Sequence, residues 1–318
     1  MNTISLFSKS LIAAAASLLL AMPSAQASAE KPRVALVMKS LANEFFLTME
    51  NGAKAHQKKN SDKYELITNG VKDESDTAGQ IKLVEQMIIS NVDAIVIAPA
   101  DSKALVAVSK RAIDAGIVVI NIDNQFDAAA LKEKGITVPF VGPLDRKGAQ
   151  QVGDYLAKFL KAGDKVGIIE GLPTANNAKL RTAGFQDAMK KAGARVVGVQ
   201  TGEWEIDKAN KVAAAMLSET PDLKALLCGN DSMAIGAVAA VKSAGLTGKV
   251  LVVGFDNISA VAPMLKDGRM TATAEQHADK LAIFGIENAL KAVKSKAPIK
   301  SLGGVVETPV DLVVGSKK

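Results

Sequence analysis

The sequence predicts an α/β protein of two lobes, each a parallel sheet flanked by helices. Three observations lead there. Beyond Glu30, apolar runs rich in β-branched residues alternate with segments of helical period to the carboxyl end, the pattern of parallel strands joined by crossover helices. Eleven such runs in 318 residues are more than one twisted sheet and one core comfortably hold. Each run also ends in polar residues, as in VALVMKSLANEFF at 34–46. Ligands of open α/β sheets sit outside the carboxyl ends of the strands, which places Lys39, Asn43 and one of Phe45 and Phe46 beside a ligand.

The first 29 residues are different in kind. Lys9 is their only charge, an apolar run spans 11–21, and small residues follow in Ala25-Gln26-Ala27 and Ala27-Ser28-Ala29. That order is a secretory signal peptide, cleaved after Ala27 or Ala29, and it implies a protein soluble outside the cytoplasm. The run is about half the length a membrane span requires, and no cysteine follows it to carry lipid.

Elements then follow in order. Strands are expected at 33–39, 63–69, 93–98, 117–122, 138–142, 165–170, 194–200, 224–228, 249–255, 270–275 and 307–314. Helices are expected at 43–60, 76–90, 102–115, 145–162, 176–192, 206–219, 231–244, 258–267 and 278–295. Ile81, Val84, Met87 and Ile88 share one helical face, Ser102 suits an N-cap, and Gly116 and Gly193 suit helix ends. A long connection at 125–137 and the turn Gly142-Pro143-Leu144-Asp145 suggest a break between lobes after the fifth strand.

Composition narrows the chemistry. The formal charge of +6 falls to +5 without Lys9, and its basic residues are interspersed with acids, which argues against nucleic acid. Cys228 is the only cysteine, and its apolar neighbours mark a buried, inert thiol. The chain has no GxGxxG after its first strand, no GxxxxGK[ST], no GxSxG and no HExxH, so no cofactor, metal or catalytic site is expected. What remains is a series of strand ends with polar residues: Asp123-Asn124, the helix with Lys179 and Arg181, Trp204, Asn230-Asp231, Asp256-Asn257 and Glu275-Gln276. Asp231 and Asp256 could each instead be helix caps.

Taken together, residues 34–46, Ile122-Asp123, the run 230–236 (NDSMAIG), Val253-Gly254-Phe255-Asp256 and Ala272-Thr273-Ala274-Glu275-Gln276 resemble the periplasmic sugar-binding proteins of the ribose and allose type. These deliver substrate to ABC importers. The resemblance runs in order through the mature chain, and it is nearer the allose branch in having Lys39 and a longer loop after Asp123. It implies two Rossmann-like lobes, residues 30–143 with 277–308 and residues 144–276 with 309–318, joined by three hinge crossovers near 143/144, 276/277 and 308/309, with sugar in the cleft. Ligand contacts carried over are Lys39, Asn43, Phe45, Phe46, Asp123, Arg181, Trp204, Asn230, Asp256 and Gln276. Asn124 joins them at a departure: ribose binders have Arg there and the allose type has Glu, so the choice of sugar stays open.

These residue types suit a sugar. Phe46 and Trp204 can stack on its C–H faces, while the carboxylates accept from its hydroxyls and the cations donate to them. Lys39 and Arg181 against Asp123 and Asp256 sum to no net charge, so the expected ligand is a neutral monosaccharide or a sugar alcohol. The expected partner is a membrane ABC permease, with a chemoreceptor as the alternative reading, and the protein is expected to be a monomer. A transcription regulator of this fold would carry a DNA-binding helix pair where this chain has a signal peptide. A glycosidase using Asp123 and Asp256 is conceivable, but both are better used to hold hydroxyls.

Overall fold

The computed structural model describes residues 31–295 and 303–315; the segment read as a signal peptide lies outside them. The first sheet is built from β1 (Arg33–Ser40), β2 (Glu65–Val71), β3 (Ala94–Ile97), β4 (Val118–Ile122) and β5 (Phe140–Pro143). Between these strands run α1 (Glu44–Lys59), α2 (Thr77–Ile89), α3 (Ala104–Asp114) and α4 (Ala128–Lys134). After α5 (Asp145–Leu156), the second sheet follows with β6 (Lys165–Glu170), β7 (Arg195–Thr201), β8 (Leu223–Cys228), β9 (Leu251–Val253) and β10 (Ala272–Glu275). Its helices are α6 (Asn176–Ala192), α7 (Ile206–Glu219), α8 (Asp231–Ser243) and α9 (Ala262–Asp267). The chain ends with α10 (Ala278–Ser295), β11 (Val305–Thr308) and β12 (Asp311–Val314).

Spatial order is β11-β5-β4-β3-β1-β2 in one sheet and β12-β10-β9-β8-β6-β7 in the other. All pairs are parallel except β10 with β12. This is the two-lobed α/β architecture the alternating pattern predicts. The expected strand 307–314 is instead two strands, β11 in the first sheet and β12 in the second. Pro309, which lacks the N–H a ladder needs, stands at the break. The long connection at 125–137 contains α4, whose N-cap Asp127 accepts from Ala130 N and whose end is Gly135 at φ 63°.

Strand alternation sorts the first core. Val34, Leu36 and Met38 of β1 join Phe45, Met49, Ala282 and Ile286 of α1 and α10, whereas Ala35 and Val37 join Val84, Leu105 and Val106 on the other face. All five β1 residues from 34 to 38 are fully buried, as a central parallel strand must be. In the second lobe, Val166 and Ile168 pack with Val152, Phe185 and Met189 of α5 and α6.

Candidate functional site

The carboxyl ends of both sheets face one small cavity. It is lined by Lys39, Asn43, Phe45, Phe46, Glu74, Asp123, Asn177, Arg181, Trp204, Asn230 and Asp256. Nine of the eleven residues expected from sequence line it, and Asn124 and Gln276 do not.

From the first lobe, β1 delivers Lys39, 3% exposed. Its Nζ lies 3.5 Å from Asp123 Oδ2 and 5.6 Å from the ring centroids of Phe46 and Trp204. Asn43 caps α1, its Oδ1 accepting from Phe45 N, while its Nδ2 donates to Glu74 Oε1 at 2.9 Å. Phe45 and Phe46 meet edge to face at 5.2 Å. Adjacent helix positions were expected to split between core and cleft, yet both rings are buried and both line the cavity.

The second lobe supplies Arg181 from α6. Its guanidinium is fixed from four sides: Nε donates to Asp145 Oδ1 at 2.7 Å, Nη1 to Gly229 O and Asp256 Oδ1, and Nη2 to Gln276 Oε1. The Phe255 ring lies 3.9 Å from its central carbon. Gln276 Nε2 donates to the same Asp256 Oδ1 at 2.5 Å, which leaves Oδ2 for the cavity. Gln276 therefore orients Arg181 and Asp256 instead of lining the wall. Asn230, not Asp231, caps α8 by accepting from Met233 N, leaving its amide nitrogen for the cavity. Trp204 packs its indole against Gly171, where any Cβ would stand about 2.1 Å from ring atoms. Only glycine fits there.

Backbone strain gathers at the same wall. Of seven non-glycine residues with positive φ among the described residues, Asp123 (60°), Trp204 (68°) and Asp256 (121°) line the cavity. Each such conformation costs about 1–3 kcal/mol, so the surrounding packing holds these side chains where an unstrained chain would not.

Asn124 is a correction. It was expected to face one end of a ligand, but its amide is spent elsewhere. Nδ2 donates to Pro99 O at 2.8 Å, and Oδ1 accepts from Ser102 Oγ and from Asn177 N, at 3.1 Å, in the first turn of α6. Ser102 is likewise no helix cap: Asp101 Oδ1 takes Lys103 N and Ala104 N, and Ser102 Oγ accepts from Asn176 N. Ser102 N donates to Thr174 O. Asn124 and Ser102 thus clasp the two lobes together. At another point, Glu44 accepts from Ser259 N at 2.7 Å and Ala260 N at 3.2 Å. The lobes are closed on each other.

Three buried groups escaped the sequence reading. Asp145, Arg181's partner, is pushed up to about 6 by burial, against the pull of Arg181. Glu74 is pushed up to about 7 by burial, despite Lys39 and the Asn43 hydrogen bond. Asp256, which the sequence does offer, is likewise raised well above the usual carboxylate range by burial, although Arg181 opposes it. Asn177 is the third; it stands one helical turn before Arg181, a spacing that could have found it. Two cations thus face four carboxyl groups, Glu74, Asp123, Asp145 and Asp256, not the two that gave a zero balance. The wall is acidic, and burial pushes its excess acids toward their protonated forms.

A periplasmic binding protein domain model matches residues 34–297. The chain belongs to the periplasmic binding protein family. A D-ribose/D-allose-binding protein of Pseudomonas aeruginosa is 66% identical over 89% of each chain. The D-allose-binding periplasmic protein of Escherichia coli is 34% identical over 82% of this chain and 84% of that one. Among solved structures, an ABC transporter solute binding protein from Burkholderia multivorans superposes with a TM-score of 0.89 at 68% identity, covering 90% of this chain and all of its own. Its ligand is unknown and was built as α-D-erythrofuranose. Another from Actinobacillus succinogenes, with bound D-allose, gives 0.82 at 34% identity over 89% and 98% of the two chains. This periplasmic binding protein is a solute-binding component of an ABC importer, not an enzyme.

Proposed function

We propose that this binding protein captures a neutral monosaccharide, D-ribose or D-allose in the first instance, by closing its lobes, and presents the closed form to a membrane permease in the periplasm. The observation that carries this is the cavity wall. Aromatic faces (Phe45, Phe46, Trp204) and hydroxyl partners (Lys39, Asp123, Asn230, Arg181, Asp256) converge from both lobes on one small cavity. A sugar offers the matching apolar faces and hydroxyl rim. The pyranose forms of D-ribose and D-allose differ only by a hydroxymethyl group, so one wall can read both. The acidic wall disfavours a phosphorylated or carboxylated sugar, whose charge would be buried uncompensated.

Closure follows from the same geometry. The chain passes between sheets after Pro143, between Glu275 and α10, and between Thr308 and Asp311, and these three passages are the proposed hinges. A ligand touching both walls binds the closed state better and shifts the population toward it. The segment 1–29 acts as the export signal. Calorimetric titration with D-ribose, D-allose, their epimers, ribitol and ribose 5-phosphate tests the reading. Micromolar or tighter binding of a neutral sugar is expected. Binding of none of them, or of the phosphate ester in preference, would overturn it.

A further inference from the structure

Glu74 has no role in the sugar site as read from sequence, yet it is one of its walls. It is 2% exposed, lines the cavity, and stands in the polar loop between β2 and α2. Its two oxygens are not equivalent. Oε1 takes the Asn43 amide at 2.9 Å, while Oε2 is buried with no hydrogen-bond partner. A buried carboxyl oxygen without a partner is costly. Three other such atoms belong to the same wall: Asp123 Oδ2, Asn177 Oδ1 and Trp204 Nε1.

We propose that Glu74 is a ligand-contacting residue that acts as a carboxylic acid, its Oε2–H donating a hydrogen bond to a sugar oxygen while Oε1 stays fixed by Asn43. Asn43 offers a donor to Oε1, so a proton on the carboxyl belongs on Oε2, the oxygen left unpartnered. The charged groups around it come from several elements. Lys39 at the end of β1 favours the anion, whereas Asp123 after β4 and Glu205 before α7 oppose it. Arg181 lines the same cavity but is committed to Asp145 and Asp256. Burial dominates and brings the free carboxyl to about 7. Filling the cavity with a neutral sugar removes more water from it and raises it further. Binding then takes up a proton above pH 7. Affinity is flat below pH 7 and falls above it, by up to about tenfold per pH unit.

This inference rests on the sugar-binding reading, and one set of titrations separates their fates. The intact protein and the variants Glu74→Gln and Glu74→Leu are titrated with D-ribose and D-allose from pH 6 to 9, in phosphate and in Tris, with unfolding curves as a fold check. The wild type should show the alkaline loss and a buffer-dependent heat. Glu74→Gln, with an amide donor in place of the acid, should bind with no such slope. Glu74→Leu should bind about 5–150-fold more weakly. A pH-independent wild type, a slope retained in Glu74→Gln, or full affinity in Glu74→Leu would overturn the inference and leave the sugar site standing. Absence of binding by the wild type at every pH would overturn both.

Discussion

Replacing Asn124 with Ala separates a clasp from a ligand contact. The change removes the acceptor for Asn177 N at 3.1 Å and for Ser102 Oγ at 3.2 Å. Both groups are buried when the lobes are closed, and water can satisfy the Asn177 amide when they part. A buried donor left without a partner costs about 1–3 kcal/mol, and here that cost falls on the closed state alone. Sugar affinity should therefore drop by about 5–150-fold. Loss of the Nδ2 bond to Pro99 O at 2.8 Å falls on both states and should lower the unfolding midpoint by about 2–4 °C. The decisive readout is a ratio. Calorimetry on D-ribose, D-allose and one epimer should show every affinity reduced by the same factor, because a clasp does not see the ligand. Unequal losses among the sugars would return Asn124 to the ligand wall, and unchanged affinities would refute the clasp altogether.

Other expectations follow from the same contacts. Arg181→Ala strands Asp145 and Asp256 in the core of the site, and breaking a buried pair costs about 3–5 kcal/mol; both sugar affinity and the stability of the second lobe should fall, as read by calorimetry and by chemical denaturation. Glu44→Ala removes the contacts to Ser259 N and Ala260 N at a less buried point, so affinity should weaken only about 2–10-fold, near the net worth of one hydrogen bond. Asp231, fully buried with Oδ1 on Thr273 and Oδ2 on Ile258 N, is pushed up to about 7 by burial against these bonds. Its folded value lies above its unfolded one, so its contribution favours folding at low pH and is lost as pH rises from about 4 to 7. Lowering the pH from 7 to 5.5 should stabilise the wild type through this group, by about 1.4 kcal/mol per unit while it alone titrates, and Asp231→Asn should reduce that slope in denaturation curves.

Much of this site is written along the chain because strand ends announce themselves. A continuous apolar run such as 34–38 can only be a buried central strand, and the polar residue after it must then face the crevice. Lys39, Asp123 and Asp256 were legible for that reason, and Trp204 and Arg181 through the resemblance. Glu74 was not, because Lys72-Asp73-Glu74-Ser75-Asp76 reads as a solvated loop; its burial comes from tertiary contact, which no local pattern encodes. Asn124 misled for the opposite reason. It neighbours Asp123 in sequence, but the positive φ at Asp123 turns the chain so that the two side chains go to different tasks. The split of 307–314 has a signal in Pro309, masked by the apolar, strand-like residues around it. The roster of two cations and two acids is incomplete because Asp145 and Glu74 arrive by tertiary contact.

The closing of two lobes on one sugar is tested most directly by small-angle X-ray scattering of the mature protein with and without saturating D-ribose or D-allose. The radius of gyration should fall on adding either sugar and should not change with ribose 5-phosphate. Identical scattering with and without a sugar that calorimetry shows to be bound would contradict capture by closure.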